Sequence, residues 1–66
     1  DDAVMIHEQS TVFSKPDEHE EPVTSAYEGY VLRIDYTLSK NEPDWFYVRL
    51  SNGQKGWIER TKILPV

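Results

Sequence analysis

The side chains of this sequence best able to exchange protons or hold a metal ion lie in its first third. His7 and His19 are its two histidines, and His19 sits inside the run Asp17-Glu18-His19-Glu20-Glu21. Carboxylates around an imidazole can attract a divalent cation. A metal centre, however, needs converging ligands at a recognised spacing, and this run, bracketed by Pro16 and Pro22, has none. Nucleophilic catalysis has less to build on. The chain has no cysteine, and nothing in the sequence orients His7 or His19 against a serine. Gly29, Gly53 and Gly56 are scattered and answer to turn or strand geometry, so they do not make a phosphate-cradling loop. The pattern predicts no enzyme, no catalytic residue, no metal and no cofactor.

Binding chemistry is better supplied. Trp45, Trp57, Tyr27, Tyr30, Tyr36 and Tyr47 are a dense aromatic set for 66 residues. Trp45 follows Pro43-Asp44 at the head of a strand and is open to two readings. It is either an exposed platform for a peptide or a ring that closes one end of the fold. Trp57 is out of phase with Ile58, which places it on the outer face, partly covered by a neighbouring strand or loop. The tyrosines either join Trp45 in an apolar patch or pack against one another across strands. Asp17, Glu18, Glu20 and Glu21 either select a partner bearing Lys, Arg or an amine, or form an ordinary solvated loop tip. The candidate ligand-binding set is Trp45, Tyr47, Trp57, Tyr27, Asp17, Glu18 and Glu20.

These side chains need a scaffold, and 66 residues allow one domain, 1–66, with no second. That length excludes doubly wound nucleotide folds and barrel enzymes. Without cysteine there is no disulfide frame, so apolar burial must hold the fold together. Twelve acidic residues against seven basic ones leave a net charge of -5, which argues against nucleic acid as a partner. The longest apolar run, Ala3-Val4-Met5-Ile6, is far short of the roughly 20 residues of a membrane span. The opening Asp1-Asp2-Ala3 has no initiator methionine or signal-like stretch, so the chain is expected to be a piece of a larger or processed protein.

Five strands are expected. Ala3 to His7 is the first, followed by a long acidic loop from Glu8 to Pro22 in which Val12 and Phe13 supply one strand contact. Tyr27 to Thr37 is rich in aromatic and β-branched residues and reads as one strand. Phe46, Val48 and Leu50 alternate with Tyr47 and Arg49, and Asn52-Gly53 then marks a tight hairpin turn into Gly56-Trp57-Ile58. Glu59 to Lys62 forms a short 3₁₀ turn before a last strand at Ile63 to Val66. The expected core is Val4 or Ile6, with Val12, Leu32, Ile34, Val48, Leu50, Ile58 and Ile63. No window sustains an amphipathic helix, so the expected fold is all-β, a small five-stranded barrel.

Three segments together resemble the bacterial SH3-like (SH3b) family. Val12-Phe13-Ser14-Lys15-Pro16 is similar to its Val-Arg-Ser-Gly-Pro element, and Glu28-Gly29-Tyr30-Val31-Leu32-Arg33-Ile34 to its glycine-opened strand. Trp45 to Ile58 is close to its Trp-Tyr-x-Val-x-x-x-Asn-Gly-x-x-Gly-Trp-Val signature. The resemblance implies an SH3-like barrel and a non-catalytic accessory domain of a bacterial envelope, periplasmic or membrane-associated protein. Its partner would be a peptide, a peptidoglycan component or another domain of the parent. The sequence departs from the related eukaryotic pattern, with Glu59 and Lys62 where a groove proline and tyrosine would stand, so the resemblance does not carry polyproline recognition with it. Two other functions stay open: an intramolecular packing domain without a free ligand, and an aromatic cage for a modified amine.

Overall fold

The computed structural model describes residues 2–65. Seven short strands run in the order β1 Asp2–Met5, β2 Gln9–Phe13, β3 Pro22–Tyr27, β4 Val31–Asp35, β5 Trp45–Leu50, β6 Lys55–Glu59 and β7 Ile63–Pro65. A one-turn helix, α1, Tyr36–Ser39, separates β4 from β5, and a 3₁₀ turn at Arg60–Lys62 separates β6 from β7. All pairings are antiparallel, in the spatial order β3-β2-β6-β5-β4-β1-β7. The all-β expectation holds. The five-stranded barrel does not, because the sheet has seven strands and β3 and β7 are not paired with each other.

The sheet is open but curled. Laid flat, seven strands about 4.8 Å apart would span about 29 Å, whereas the molecule measures 24 × 22 × 21 Å. Curling brings the concave faces of all seven strands into one buried cluster: Ala3, Met5, Val12, Ala26, Leu32, Ile34, Phe46, Val48, Leu50, Ile58 and Ile63. Seven of these are the expected core residues. The first strand has the opposite parity. Ala3 lies opposite Leu32, which turns Ala3 and Met5 inward and leaves Val4 half-buried and Ile6 exposed.

Two expected segments are divided differently. The span Glu8 to Pro22 is not all loop, since Gln9–Phe13 pairs with Pro22–Tyr27 and leaves only residues 14–21 as the acidic loop. Tyr27 to Thr37 is not one strand either. Gly29, at φ 89°, allows a turn closed by the Tyr30 amide donating to the Tyr27 carbonyl at 3.0 Å. At its other end Asp35 Oδ1 accepts from the Leu38 amide at 3.1 Å, capping α1 and stopping the strand.

The β5–β6 hairpin forms where expected, with a longer loop than Asn-Gly alone implies. The Gly53 amide donates to the Leu50 carbonyl at 3.0 Å and the Leu50 amide to the Gln54 carbonyl at 2.8 Å. Positive φ falls on Gly53 and not on Asn52, giving a three-residue loop with glycine at its left-handed position. Among the described residues no helix is long and apolar enough to cross a membrane.

Candidate binding site

Backbone bonds and one guanidinium build the turn that presents Trp45. Ser39, buried at the end of α1, donates from Oγ to the Asp35 carbonyl at 2.6 Å and accepts the Tyr47 amide at 2.8 Å. Arg60, at the start of the 3₁₀ turn, reaches across to the same segment. Its Nε donates to the carbonyls of Trp45 at 2.9 Å and Glu42 at 3.1 Å, and its Nη2 to those of Ser39 at 2.9 Å and Glu42 at 2.8 Å. The guanidinium carbon lies 4.1 Å from the centre of the Phe46 ring, which shields one face of the cation. Carbonyls left open after α1 thus find donors, and Trp45 leaves a braced turn.

The facing wall is the loop 14–21. The Ser14 amide donates to the Glu21 carbonyl at 3.2 Å, and Asp17 Oδ1 accepts the His19 amide at 2.9 Å, folding the loop back on itself. Between loop and turn lies an open groove of about 590 Å³, with Pro16, Asp17, Glu18 and His19 on one side and Pro43, Asp44, Trp45, Glu59, Arg60 and Thr61 on the other. Four carboxylates line it, from Asp17, Glu18, Asp44 and Glu59, against the single guanidinium of Arg60, whose bonds go to backbone carbonyls. Glu59 is 3.9 Å from Lys62, and Glu18 is 3.9 Å from His19 Nε2. The phenyl ring of Phe13 meets Trp45 edge to face at 5.8 Å and props the indole from behind the groove.

Of the residues selected from sequence, the fold brings Trp45, Asp17 and Glu18 to this groove. Tyr47 and Trp57 lie outside it. They face each other across β5 and β6 with ring centres 5.2 Å apart, on the outer sheet surface. Trp57 is directly opposite Phe13, so the aromatic strip continues to the ring that props Trp45. Tyr27 is elsewhere, at the end of β3 against Tyr30 at 5.6 Å, and Glu20 turns to Lys15 at 3.9 Å. The sequence reading missed Asp44, Glu59 and Arg60. Charge next to Trp45 was the available signal for Asp44, whereas nothing local marks Glu59 or Arg60, which arrive from the far end of β6. No three His, Cys, Asp or Glu side chains are grouped to hold a metal ion among the described residues.

No family model matches the chain, and no curated protein or solved structure matches it.

Proposed function

We propose that this chain is a non-catalytic docking module whose groove takes an extended peptide segment carrying a lysine, an arginine or a free amine beside a flat apolar group. The observation that carries this reading is the meeting of Trp45 with four carboxylates in one open groove. An indole offers apolar area at little entropic cost, and clustered carboxylates draw a cation and suppress anionic competitors. Among the described residues Trp45 is the only tryptophan, tyrosine or phenylalanine lining the groove, so a multi-ring cage for an amine is less well supported than a platform with an acidic rim. The resemblance to SH3b domains extends the proposal to setting: an accessory domain of a bacterial envelope, periplasmic or membrane-associated protein, contacting a cell-wall peptide.

A second reading has its own observation. Val31, Val4 and Leu64 form a row on the outer surface of β4, β1 and β7, with Val31 and Leu64 more than half exposed. Such a row suits packing against a neighbouring domain of the parent, and the two roles occupy different faces.

Calorimetric titration with a lysine-bearing wall-type peptide tests the groove. Binding is expected to weaken as salt rises from about 0.05 to 0.5 M, because the carboxylates are exposed and screened. Trp45→Ala should reduce affinity by at least about tenfold, and Asp17→Asn with Glu18→Gln by a smaller factor. Equal affinity in wild type and Trp45→Ala would sink the proposal.

A further inference from the structure

The seven basic residues are unevenly placed. Arg33 lies directly opposite Arg49, and Arg49 directly opposite Lys55, so three cations stand side by side on the outer surface of β4, β5 and β6. Directly opposed side chains on neighbouring strands have their Cβ atoms about 5 Å apart, where like charges repel. Asp2 neutralises part of the row, its Oδ1 lying 3.6 Å from Arg33 Nε. Among the described residues, Arg49 and Lys55 have neither an ion pair nor a side-chain hydrogen bond, and both are exposed.

The row also has relief around it. On one side a depression of about 590 Å³ is walled by Tyr36, Leu38 and Tyr47. On the other, exposed Val31 walls a depression of about 630 Å³. Arg33, Arg49 and Lys55 line both. Each therefore offers apolar surface next to the cations. Trp45 begins β5 and Arg49 is four residues further on, which separates the row from the acidic groove by about 13 Å along the strand.

We propose that this row is a second binding site, which takes a side-chain or terminal carboxylate of a short acidic peptide segment, with a neighbouring apolar residue of that segment against Tyr47 or Val31. Two guanidiniums on adjacent strands present planar donor forks suited to a carboxylate, and Lys55 adds a point charge. Charge complementarity favours a peptide over a polyphosphate. The cations are flanked by Asp2 and Asp35 on a molecule of net charge -5, so the further phosphates of a polymer would face repulsion. A carboxylate confines its charge to the row.

The test is chemical-shift mapping of the ¹⁵N-labelled chain with a capped hexapeptide of alternating leucine and glutamate. Its glutamine counterpart and a thymidylate hexanucleotide serve as comparisons. The expected result is saturable shifts at Arg33, Arg49 and Lys55 with the glutamate peptide, and far weaker ones with the glutamine peptide. Arg49→Gln with Lys55→Gln should weaken binding by about tenfold or more, the loss of one charge-assisted hydrogen bond or more. Asp17→Asn, in the acidic groove, should leave it unchanged. Unperturbed shifts elsewhere in the double variant would show that it stays folded. Equal response to the glutamine peptide, tighter binding of the oligonucleotide, or no shifts at millimolar peptide would each overturn the proposal.

Discussion

Arg60 does at the residue scale what a longer element does in larger folds: it holds a loop by its backbone. Four hydrogen bonds run from its guanidinium to the carbonyls of Ser39, Glu42 and Trp45. Lysine keeps the charge but loses the planar fork, so it cannot serve three carbonyls in one plane. Arg60→Lys is expected to lower stability by about 2–3 kcal/mol, measured by urea denaturation, since bonds from a charged donor are each worth about 1.5–3 kcal/mol. A loss below about 0.5 kcal/mol would show that water replaces the fork without cost. Gly56 is a second residue with one narrow task. A Cβ there would stand 2.6 Å from both the Phe13 carbonyl oxygen and Val12 Cγ1, where β2 crosses β6. Gly56→Ala must push β2 away and should cost about 1–3 kcal/mol, the range for overpacking. A melting curve checks this, at about 4–8 °C per kcal/mol for a domain of this size. An unchanged melting temperature would contradict the close approach.

At the scale of elements, the cation row has a cost that can be measured apart from any ligand. Arg49 stands between Arg33 and Lys55 on neighbouring strands, and Arg49→Thr removes both repulsions while placing a good strand former at the position. The variant is expected to gain about 0.2–1 kcal/mol, the range for a cross-strand pair, with the gain shrinking at high salt. A loss of stability would mean that the arginine stem packs more than its charge repels. The same elements show what was legible in the sequence. β5 and β6 were, because Phe46, Val48 and Leu50 alternate without interruption and Asn52-Gly53 marks the reversal. β1 was not, because Ala3-Val4-Met5-Ile6 is apolar on both parities and its register comes from pairing with β4 and β7. β2 and β3 hid in polar sequence for a related reason, since Val12 and Ala26 are their buried residues and the remainder are half-buried or exposed. Arg60 was invisible because its acceptors are backbone carbonyls, which leave no trace in residue types. The site was half legible: Trp45, Asp17 and Glu18 meet, but Glu59 joins them only through the register of β5 and β6.

Over the whole molecule, charge is sorted along β5. Carboxylates gather around Trp45 at its start, and Arg33, Arg49 and Lys55 lie near its end, with Tyr47 and Trp57 between. An open sheet also leaves two edges, β3 and β7, and each carries a proline, Pro22 and Pro65, which removes an amide that a further strand would need. Edge pairing with a ligand strand is thereby discouraged, and recognition is left to the outer surface and the groove. The acidic groove as a receptor for a cationic segment is the central claim. Its most direct test is chemical-shift mapping of the wild-type chain with a lysine-bearing peptide and with the same peptide acetylated at lysine. The expected result is saturable shifts at Asp17, Glu18, Asp44 and the Trp45 indole with the first peptide and little response to the second. Equal shifts with both peptides, or shifts that avoid Trp45, would contradict it.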